Sequence, residues 1–338
     1  MAYTTINKST DYFNTKLYTG TGSSQAITGV GFQPDWVWAK RRGSAEGHSL
    51  FDAVRGVQKR IVSNDDGTEA TNATFLTSFD TDGFTMGGSD AVNGSDNYAS
   101  WNWKANGAGS ANTDGSINST VSANTTSGFS IVSYTGTGAN ATVGHGLGTT
   151  PSMIIAKNRS ATGNWRVYHK SLGANYLIQL DLTGAALDNT TWNDTAPTSS
   201  VFSISSVADV NGSGNNIIAY CFAEKKGYSK FGSYTGNGNA DGTFVYTGFK
   251  PAWIMVKRTD SANSWMIMDN KRTTFNPMGE ELYADVSDAG NVQTRWDSLS
   301  NGFKLRNTGG AVNTSGGTYI YMAFAEEPLV GTNNIPAT

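Results

Sequence analysis

The stretch Tyr18-Thr19-Gly20-Thr21-Gly22 occurs three times in the chain, and this recurrence decides how the fold is interpreted. The second copy is Tyr134-Thr135-Gly136-Thr137-Gly138, and the third is Tyr234-Thr235-Gly236-Asn237-Gly238. The copies begin 116 (134 − 18) and 100 (234 − 134) residues apart. Solenoid coils and propeller blades repeat every 20 to 50 residues or so, which is far shorter. We therefore expect each copy to be a domain with its own core.

A strand introduced by proline follows in each copy. The matched stretches are Phe32–Lys40, Thr149–Lys157 and Phe249–Lys257, and each has proline as its third residue. Proline is tolerated at the start of a strand, and the alternation after Pro34 predicts a strand covered on one or both faces. Each copy ends in a second apolar strand, at Tyr98–Trp103, Ile217–Phe222 and Tyr319–Phe324.

Turn signals lie close together between these strands. Asp82-Gly83, Asn93-Gly94 and Asn211-Gly212 are typical of hairpin turns with positive φ angles. The pattern predicts an all-β protein of three tandem antiparallel β-sandwich modules, of jelly-roll or concanavalin-like (lectin-like) type. The expected boundaries are repeat 1 at 1–107, a glycine-rich linker at 108–127, repeat 2 at 128–226, repeat 3 at 227–327 and a C-terminal tail at 328–338.

Net charge, cysteine content and targeting signals limit the classes of binding partner and the compartment expected for this protein. The formal net charge is −3 and the isoelectric point is near 5.6, which argues against nucleic acid as the main partner. The single cysteine, Cys221, lies in an apolar strand and is expected to be a buried thiol in a protein folded in a reducing cytoplasm. The sequence has no cleavable signal peptide pattern and no apolar stretch long enough for a membrane helix, so we expect no membrane insertion.

The histidines and carboxylates do not form a recognisable catalytic pattern in the sequence. His48 stands where the other copies have Trp165 and Trp265, and His169 stands where they have Asp52 and Asp269. His145 lies in a Gly-His-Gly turn, so all three are expected to be structural, with no zinc site. Glu224 and Glu326 match each other but the first copy has Ala105 there, which favours strand-end acids over a glycosidase pair. We therefore predict that the protein is not an enzyme.

Neither a cofactor nor a firm metal site is predicted. The segments Asp80–Gly83 and Asn64–Gly67 are rich in oxygen ligands but lack the downstream glutamate of an EF-hand, so ordinary turns are favoured and calcium stays an alternative. The matched lysines Lys40, Lys157 and Lys257 end an apolar strand. They are expected to snorkel, or to pair with the matched Asp52 and Asp269.

Aromatic side chains are the best candidates for a ligand site, because their faces stack on sugar rings. Most tryptophans lie in the repeat-matched strands and are expected in the core. Trp192 and Trp296 lie in less regular segments, so these two are the candidates for an exposed binding rim.

Three stretches carry a family resemblance: Leu76–Phe84, Val143–Gly148 and Ala323–Glu326. With them, nearly the whole chain resembles the uncharacterised three-repeat proteins of marine tailed bacteriophages, including cyanophages. The resemblance implies a virion structural protein, tail-fibre-like or displayed on the particle surface, with lectin-like sandwich modules. It implies no catalytic residues.

The leading hypothesis is a non-enzymatic virion protein, made in the host cytoplasm, that contacts host-surface glycans or other virion proteins. Linked weak sites bind better together than singly, which favours a repeated adhesin. One alternative is a capsid decoration or assembly protein, and a second is a polysaccharide depolymerase. A homo-oligomer is expected, with a trimer as the first guess.

Overall fold

Short strands account for most of the ordered backbone. The computed structural model describes residues 4–330. Strands make up 44% of the chain and helices 3%, and the strand pairs are antiparallel. Runs of β-branched and aromatic residues favour pleated strands, and the glycines and asparagines between them favour turns. The predicted all-β class with antiparallel sheets is confirmed.

The first repeat consists of two facing sheets and a short hairpin. Its elements are a 3-10 turn (Ser9–Asp11), β1 (Phe13–Thr19), β2 (Gln25–Thr28), β3 (Trp36–Arg41), β4 (Ser49–Asp52), β5 (Lys59–Arg60), β6 (Ala70–Thr71), β7 (Leu76–Asp80), β8 (Gly83–Met86), helix α1 (Asp90–Asn93) and β9 (Asn97–Trp103). The inner sheet has the order β1-β9-β3-β4, and the outer sheet has the order β2-β8-β7.

The second repeat is built around one long sheet. Its elements are β10 (Ser110–Asn112), β11 (Ser119–Asn124), β12 (Phe129–Thr135), β13 (Ala141–Gly144), β14 (Met153–Asn158), β15 (Arg166–His169), β16 (Tyr176–Gln179), β17 (Leu187–Asp188), β18 (Val201–Ile204), helix α2 (Ala208–Asn211) and β19 (Asn216–Phe222). The order is β10-β11-β12-β19-β14-β15-β16-β17, and β13 pairs with β18 in a small outer sheet.

The predicted linker at 108–127 is wrong. This range holds β10 and β11, and β11 pairs with β12 from Ser119 opposite Tyr134 to Asn124 opposite Phe129. The segment is polar because β10 is the edge strand of the sheet and β11, next to it, has one exposed face, where Thr120 is exposed while Val121 is buried. An edge strand with one wet face has the same polar composition as a linker.

The third repeat forms a continuous, nearly closed, barrel-like sheet. Its strands are β20 (Ser229–Thr235), β21 (Phe244–Tyr246), β22 (Phe249–Arg258), β23 (Met266–Asp269), β24 (Met278–Tyr283), β25 (Asn291–Leu299), β26 (Gly302–Leu305) and β27 (Thr318–Pro328), in the order β20-β27-β22-β23-β24-β25-β26-β21. Strand β27 reaches Pro328, so the predicted tail begins inside it. Residues 331–338 of that tail lie outside the described residues.

The repeats share the order of four inner strands. These are β1-β9-β3-β4, β12-β19-β14-β15 and β20-β27-β22-β23. Each repeat also pairs two outer strands in the same way, as β2 with β8, β13 with β18 and β21 with β26. The matched sequences therefore fold into matched structures, as the recurrence predicted.

The inner sheets of all three repeats face one common core, which we call the central core. It contains buried residues from every repeat, including Trp36, Trp101, Ile155, Tyr220, Trp253 and Met322. The equivalent rings of Trp103, Phe222 and Phe324 meet in a triangle, with centroids 5.7 to 6.4 Å apart and interplanar angles of 61 to 69°. The three repeats are therefore arranged around a pseudo-threefold axis.

A second, separate core lies within each repeat, between its inner strands and its outer strands. Val37, Ile154 and Ile254 are equivalent residues that point into these outer cores. Each repeat therefore has a core of its own, as expected, but it is not self-contained, because its inner face packs against the other two repeats.

The seams between repeats are closed by buried lysines in a cyclic pattern. Each ammonium group donates to a backbone carbonyl of a neighbouring repeat: Lys40 to Ser287 (3.1 Å), Lys157 to Asp66 (2.8 Å) and Lys257 to Thr183 (2.9 Å). The side chains are at most 1% exposed, so they do not snorkel. Burial lowers the pKa of Lys40 and of Lys257 to about 8.

The expected lysine–aspartate pairs are not formed. Asp52 pairs instead with Arg55 at 2.5 Å, and Asp269 pairs with Arg272 at 2.6 Å, with all four side chains buried. The lysines are nevertheless structural, as predicted, because a buried ammonium needs hydrogen-bond acceptors and the carbonyls provide them.

Two other sequence features can be located in the fold. Cys221 lies on β19 and is fully buried, where burial raises the pKa of its thiol. Within residues 4–330, the helices are too short and too polar to cross a membrane.

Candidate functional site

The two tryptophans predicted for a binding rim are buried. Trp192 is 1% exposed and packs against Tyr168, and Trp296 is 0% exposed and packs against Phe303. Both rings point into the outer cores of their repeats. The prediction is wrong because both rings cover the outer cores: Trp192 lies in a turn, and Trp296 lies on β25 opposite Leu305, so its segment is a regular strand.

The repeated Tyr-Thr-Gly loops are structural as well. The tyrosine hydroxyls donate to equivalent carbonyls: Tyr18 to Val92 (2.7 Å), Tyr134 to Val210 (2.7 Å) and Tyr234 to Val312 (2.8 Å). A Cβ atom at Gly20 would lie 2.0 Å from the carbonyl oxygen of Gly94, so only glycine permits this approach. The loops that reveal the repeat thus serve the fold.

A buried asparagine follows each of these valines and has a role that the turn signals in the sequence did not indicate. Asn93, Asn211 and Asn313 are all 0% exposed. The Asn211 side chain accepts from the Thr137 N–H at 2.8 Å and donates to the carbonyl of Ser205 at 2.8 Å. The expected positive φ after Asn93 and Asn211 is wrong, since Gly94 and Gly212 have φ of −63° and −56°. The recurring Val-Asn pair was the available signal.

The three histidines lie apart and are satisfied by the backbone. In each ring Nδ1 accepts and Nε2 donates: His48 to the carbonyl of Tyr283 (2.8 Å), His145 to Thr198 (3.2 Å) and His169 to Tyr321 (3.3 Å). Burial lowers the pKa of all three, to about 4 for His169. Each ring is therefore neutral near pH 7 and occupies a structural position.

The oxygen-rich turns use their carboxylates internally. Asp82 accepts from the N–H groups of Gly29 (3.0 Å) and Gly31 (2.6 Å), and Asp65 accepts from the N–H of Gly67. Within residues 4–330, no three acidic, histidine or cysteine side chains are grouped to hold a metal ion. Turn chemistry thus accounts for both segments.

The strand-end glutamates form surface ion pairs. Glu224 pairs with Lys170 (2.6 Å) and Lys230 (2.7 Å), and Glu326 pairs with Lys250 at 2.7 Å. Their equivalent positions place them at the same end of the molecule, in the second and third repeats. Glu326 and Lys250 both line a surface groove of the third repeat.

A loop present in only one repeat shapes a surface groove. The paired residues Ile267 and Leu282 of the third repeat are 15 positions apart (282 − 267). The equivalent pairs, Leu50–Ile61 (61 − 50) and Val167–Ile178 (178 − 167), are 11 positions apart. The four extra residues lie between β23 and β24 and carry Phe275.

Phe275 is 83% exposed, the largest exposed fraction among the large hydrophobic side chains of residues 4–330. The loop that carries it is held on both sides. The Ser298 N–H donates to Asn276 Oδ1 at 2.9 Å, and the Glu280 N–H donates to the Thr273 hydroxyl at 2.9 Å. An exposed aromatic ring on an anchored loop loses little conformational freedom on binding.

The groove beside Phe275 has a volume of about 430 Å³. Its lining is polar: Lys250, Asn270, Lys271, Thr273, Thr274, Asn276, Ser298 and Glu326, with Met278 and Phe275 as the apolar part. One aromatic face with amides, hydroxyls and amines around it is chemistry that can bind a polyhydroxylated ligand. The signal that the sequence offered was the extra length of this loop relative to the other copies.

Fold and groove together define a class: a pseudo-threefold, all-β protein with a polar surface groove in one repeat. The chain belongs to the family described as Domain of unknown function (DUF7483), whose match covers residues 8–328. The match spans all three repeats, as expected of repeats that share the central core. The comparison with curated proteins finds no match.

Proposed function

We propose that this chain is a non-enzymatic bacteriophage virion protein, tail-fibre-like or displayed on the particle surface, that contacts host-surface glycans. Support comes from the phage resemblance of the sequence and from the groove beside Phe275. In this proposal the outer halves of the repeats are lectin-like sandwiches, and the protein is made in the host cytoplasm before assembly into the virion.

The exposed ring of Phe275 is the observation that carries the proposal. Exposing a phenylalanine to water costs free energy, roughly 2 kcal/mol relative to burial. The other aromatic rings near this end, such as Trp253 and Phe324, are buried in the central core. A ring kept in water on an anchored loop, beside amide and hydroxyl groups, is suited to stack on a sugar.

Binding is favoured over cleavage by the charges in the groove. Cleavage of a glycosidic bond commonly requires two carboxyl groups about 5 to 10 Å apart. The groove lining contains one carboxylate, Glu326, and it is paired with Lys250. For this reason we favour a glycan-binding adhesin over a polysaccharide depolymerase.

A glycan array with the full-length protein tests the proposal. The wild type is expected to bind a subset of host-envelope glycans, and Phe275→Ala is expected to weaken that binding at least tenfold. Tyr176→Ala, which removes a 42% exposed ring from the second repeat, is the matched control and should leave binding unchanged. Absence of the protein from purified particles, together with no glycan binding, would overturn the proposal.

A capsid decoration or assembly role is the second candidate. It is favoured by exposed apolar side chains of the second repeat, Tyr176 (42%), Leu182 (43%) and Leu187 (47%), which suit a protein partner. Cryo-electron microscopy of the particle separates the two candidates. Density on capsid lattice positions supports decoration, and density on the tail or fibres supports the adhesin.

The oligomeric state stays a prediction. The pseudo-threefold axis brings three related repeats together within one chain, so a single copy of the chain already has a threefold arrangement. We still propose a homo-oligomer on the particle, with the trimer as first guess. Light scattering after size-exclusion chromatography measures it, and a single species of about 36 kDa would contradict it.

A further inference from the structure

The arginines of this protein and some of its lysines differ in whether a carboxylate pairs with them. Each of the ten arginines has a carboxylate partner within 3.3 Å: Arg41, Arg42, Arg55, Arg60, Arg159, Arg166, Arg258, Arg272, Arg295 and Arg306. The arginines are therefore committed to holding the fold.

Two lysines beside the groove differ from these arginines. Within residues 4–330, neither Lys271 nor Lys16 has a carboxylate within ion-pair distance. Lys271 is exposed and Lys16 is half-buried. The Asp82 carboxylate accepts from the backbone N–H groups of Gly31 and Gly29, which lower its pKa, and the charge of Lys16 lowers that pKa further. Both ammonium groups are thus available to an anion.

Lys271 lines three neighbouring cavities. The first is the 430 Å³ groove beside Phe275, and the third is a 340 Å³ groove on the first repeat, lined by Asn14, Thr15, Lys16, Leu17 and Gly29. A narrow cleft of about 20 Å³ lies between them, bounded by Thr10, Asn14, Asn270, Lys271 and Glu326 among others. Together they form a track that runs from the third repeat to the first and has an ammonium group at its middle.

We propose that this track binds an anionic polysaccharide, with Lys271 and Lys16 contacting successive acidic groups of one chain and Phe275 stacking on a sugar ring. The inference rests on the proposed glycan-binding function and adds the class of glycan. A track with two wide parts and a narrow middle suits a single extended chain better than a monosaccharide. Ammonium groups without carboxylate partners favour carboxylated or sulfated sugars over neutral ones.

A nucleic acid would use different features. Proteins that bind nucleic acid through phosphate need a basic surface, and arginine forks are the usual bidentate partners of phosphate. Here the net charge is −3 and the arginines are already paired. The observations therefore favour an acidic glycan, and a nucleic acid becomes one outcome of the test.

The test is binding of full-length protein to four probes: alginate hexasaccharide, alginate disaccharide, neutral dextran and single-stranded DNA of matched charge. We expect the hexasaccharide to bind at least tenfold more tightly than the disaccharide and than dextran, with affinity that falls as salt rises. Lys271→Gln and Lys16→Gln should each weaken hexasaccharide binding about fivefold. Lys8→Gln is the matched control, since Lys8 is 61% exposed and lies outside the track.

Each outcome decides a different claim. Binding of dextran that depends on Phe275 but not on Lys271 would overturn the anionic assignment and leave the proposed function standing. Absence of binding to any glycan would overturn both. Equal affinity for the hexasaccharide and for DNA would show a general polyanion surface and would also overturn the assignment to a glycan. Circular dichroism spectra of the variants that match the wild type exclude misfolding as the cause of lost binding.

Discussion

Single buried polar residues hold the outer layer of each repeat in place. Asn93, Asn211 and Asn313 occupy equivalent positions, and each side chain joins the Tyr-Thr-Gly loop of its repeat, 72 to 76 residues earlier, to the backbone six residues before the asparagine. Buried amides are stabilising only when all their hydrogen-bond partners are present. The repeated loops and the repeated asparagines therefore depend on each other.

Replacing Asn211 with alanine should be strongly destabilising. The substitution leaves the Thr137 N–H and the carbonyls of Ala139 and Ser205 without their partner, so we expect a loss of about 3 kcal/mol in the free energy of unfolding. Urea denaturation followed by tryptophan fluorescence measures it. The control is Asn118→Ala, at an exposed position in the same repeat. Equal small effects of both substitutions would contradict the account.

His169 makes stability depend on pH. Its folded-state pKa, near 4, lies below its ordinary value of 6.5, so the unfolded chain binds the proton more tightly. Its contribution is full above pH 6.5 and is lost as pH falls toward 4. Asp181, whose pKa burial raises to about 6, acts in the opposite direction.

The comparison of wild type with His169→Gln isolates this contribution. Between pH 7 and pH 4 the wild type should lose up to about 3 kcal/mol more unfolding free energy than the variant. Urea denaturation at half-unit pH steps measures the difference. Parallel pH profiles for the two proteins would show that the imidazole does not titrate as described.

The ends of the equivalent strands β4, β15 and β23 carry a buried aspartate–arginine pair in the first and third repeats and different residues in the second. Asp52 and Asp269 each accept from an arginine three residues later and from a ring of a neighbouring repeat, Tyr220 or Trp101. In the second repeat His169 replaces the aspartate, and Leu172 replaces the arginine. The donor ring is replaced too, because Met322 stands where the other repeats have Trp101 and Tyr220.

Rebuilding the ion pair in the second repeat tests this interpretation. His169→Asp alone should destabilise the protein by about 3 kcal/mol, because it buries a carboxylate without a cation. Adding Leu172→Arg should recover at least half of that loss. Thermal unfolding of wild type, both single variants and the double variant gives the coupling energy. Additive losses would contradict the proposed equivalence of the three sites.

The strands were predictable, but the way they pack was not. The alternation Trp36-Val37-Trp38-Ala39 correctly predicted β3, and the closing apolar runs correctly predicted β9, β19 and β27. In β3 both faces are buried, with Trp36 and Trp38 in the central core and Val37 and Ala39 in the outer core. A single sandwich would leave one face of such a strand wet, so burial of both faces was the signal for a third layer.

The site was harder to predict than the fold. The sequence predicts exposed rings at Trp192 and Trp296, and both are buried, with Trp296 on strand β25. Exposure of one ring depends on which side of a loop faces the solvent, which periodicity does not report. Phe275 lies in a loop that is longer than the equivalent loops of the other two repeats. That difference in loop length can be found by comparing the three copies in the sequence.

For the whole molecule, the shared core means that the repeats should not be independent domains. Each inner sheet places large apolar side chains on a face that only the other two repeats cover. Cyclic hydrogen bonds from Lys40, Lys157 and Lys257 further join each repeat to another. A repeat separated from the others would expose that face to water, which is strongly unfavourable.

Differential scanning calorimetry of the full chain tests this claim most directly. If the repeats fold as one unit around the central core, the protein shows a single transition whose calorimetric enthalpy equals its van 't Hoff enthalpy. Resolved transitions, or a calorimetric enthalpy about three times the van 't Hoff value, would instead show three independently folding domains and contradict the shared-core account.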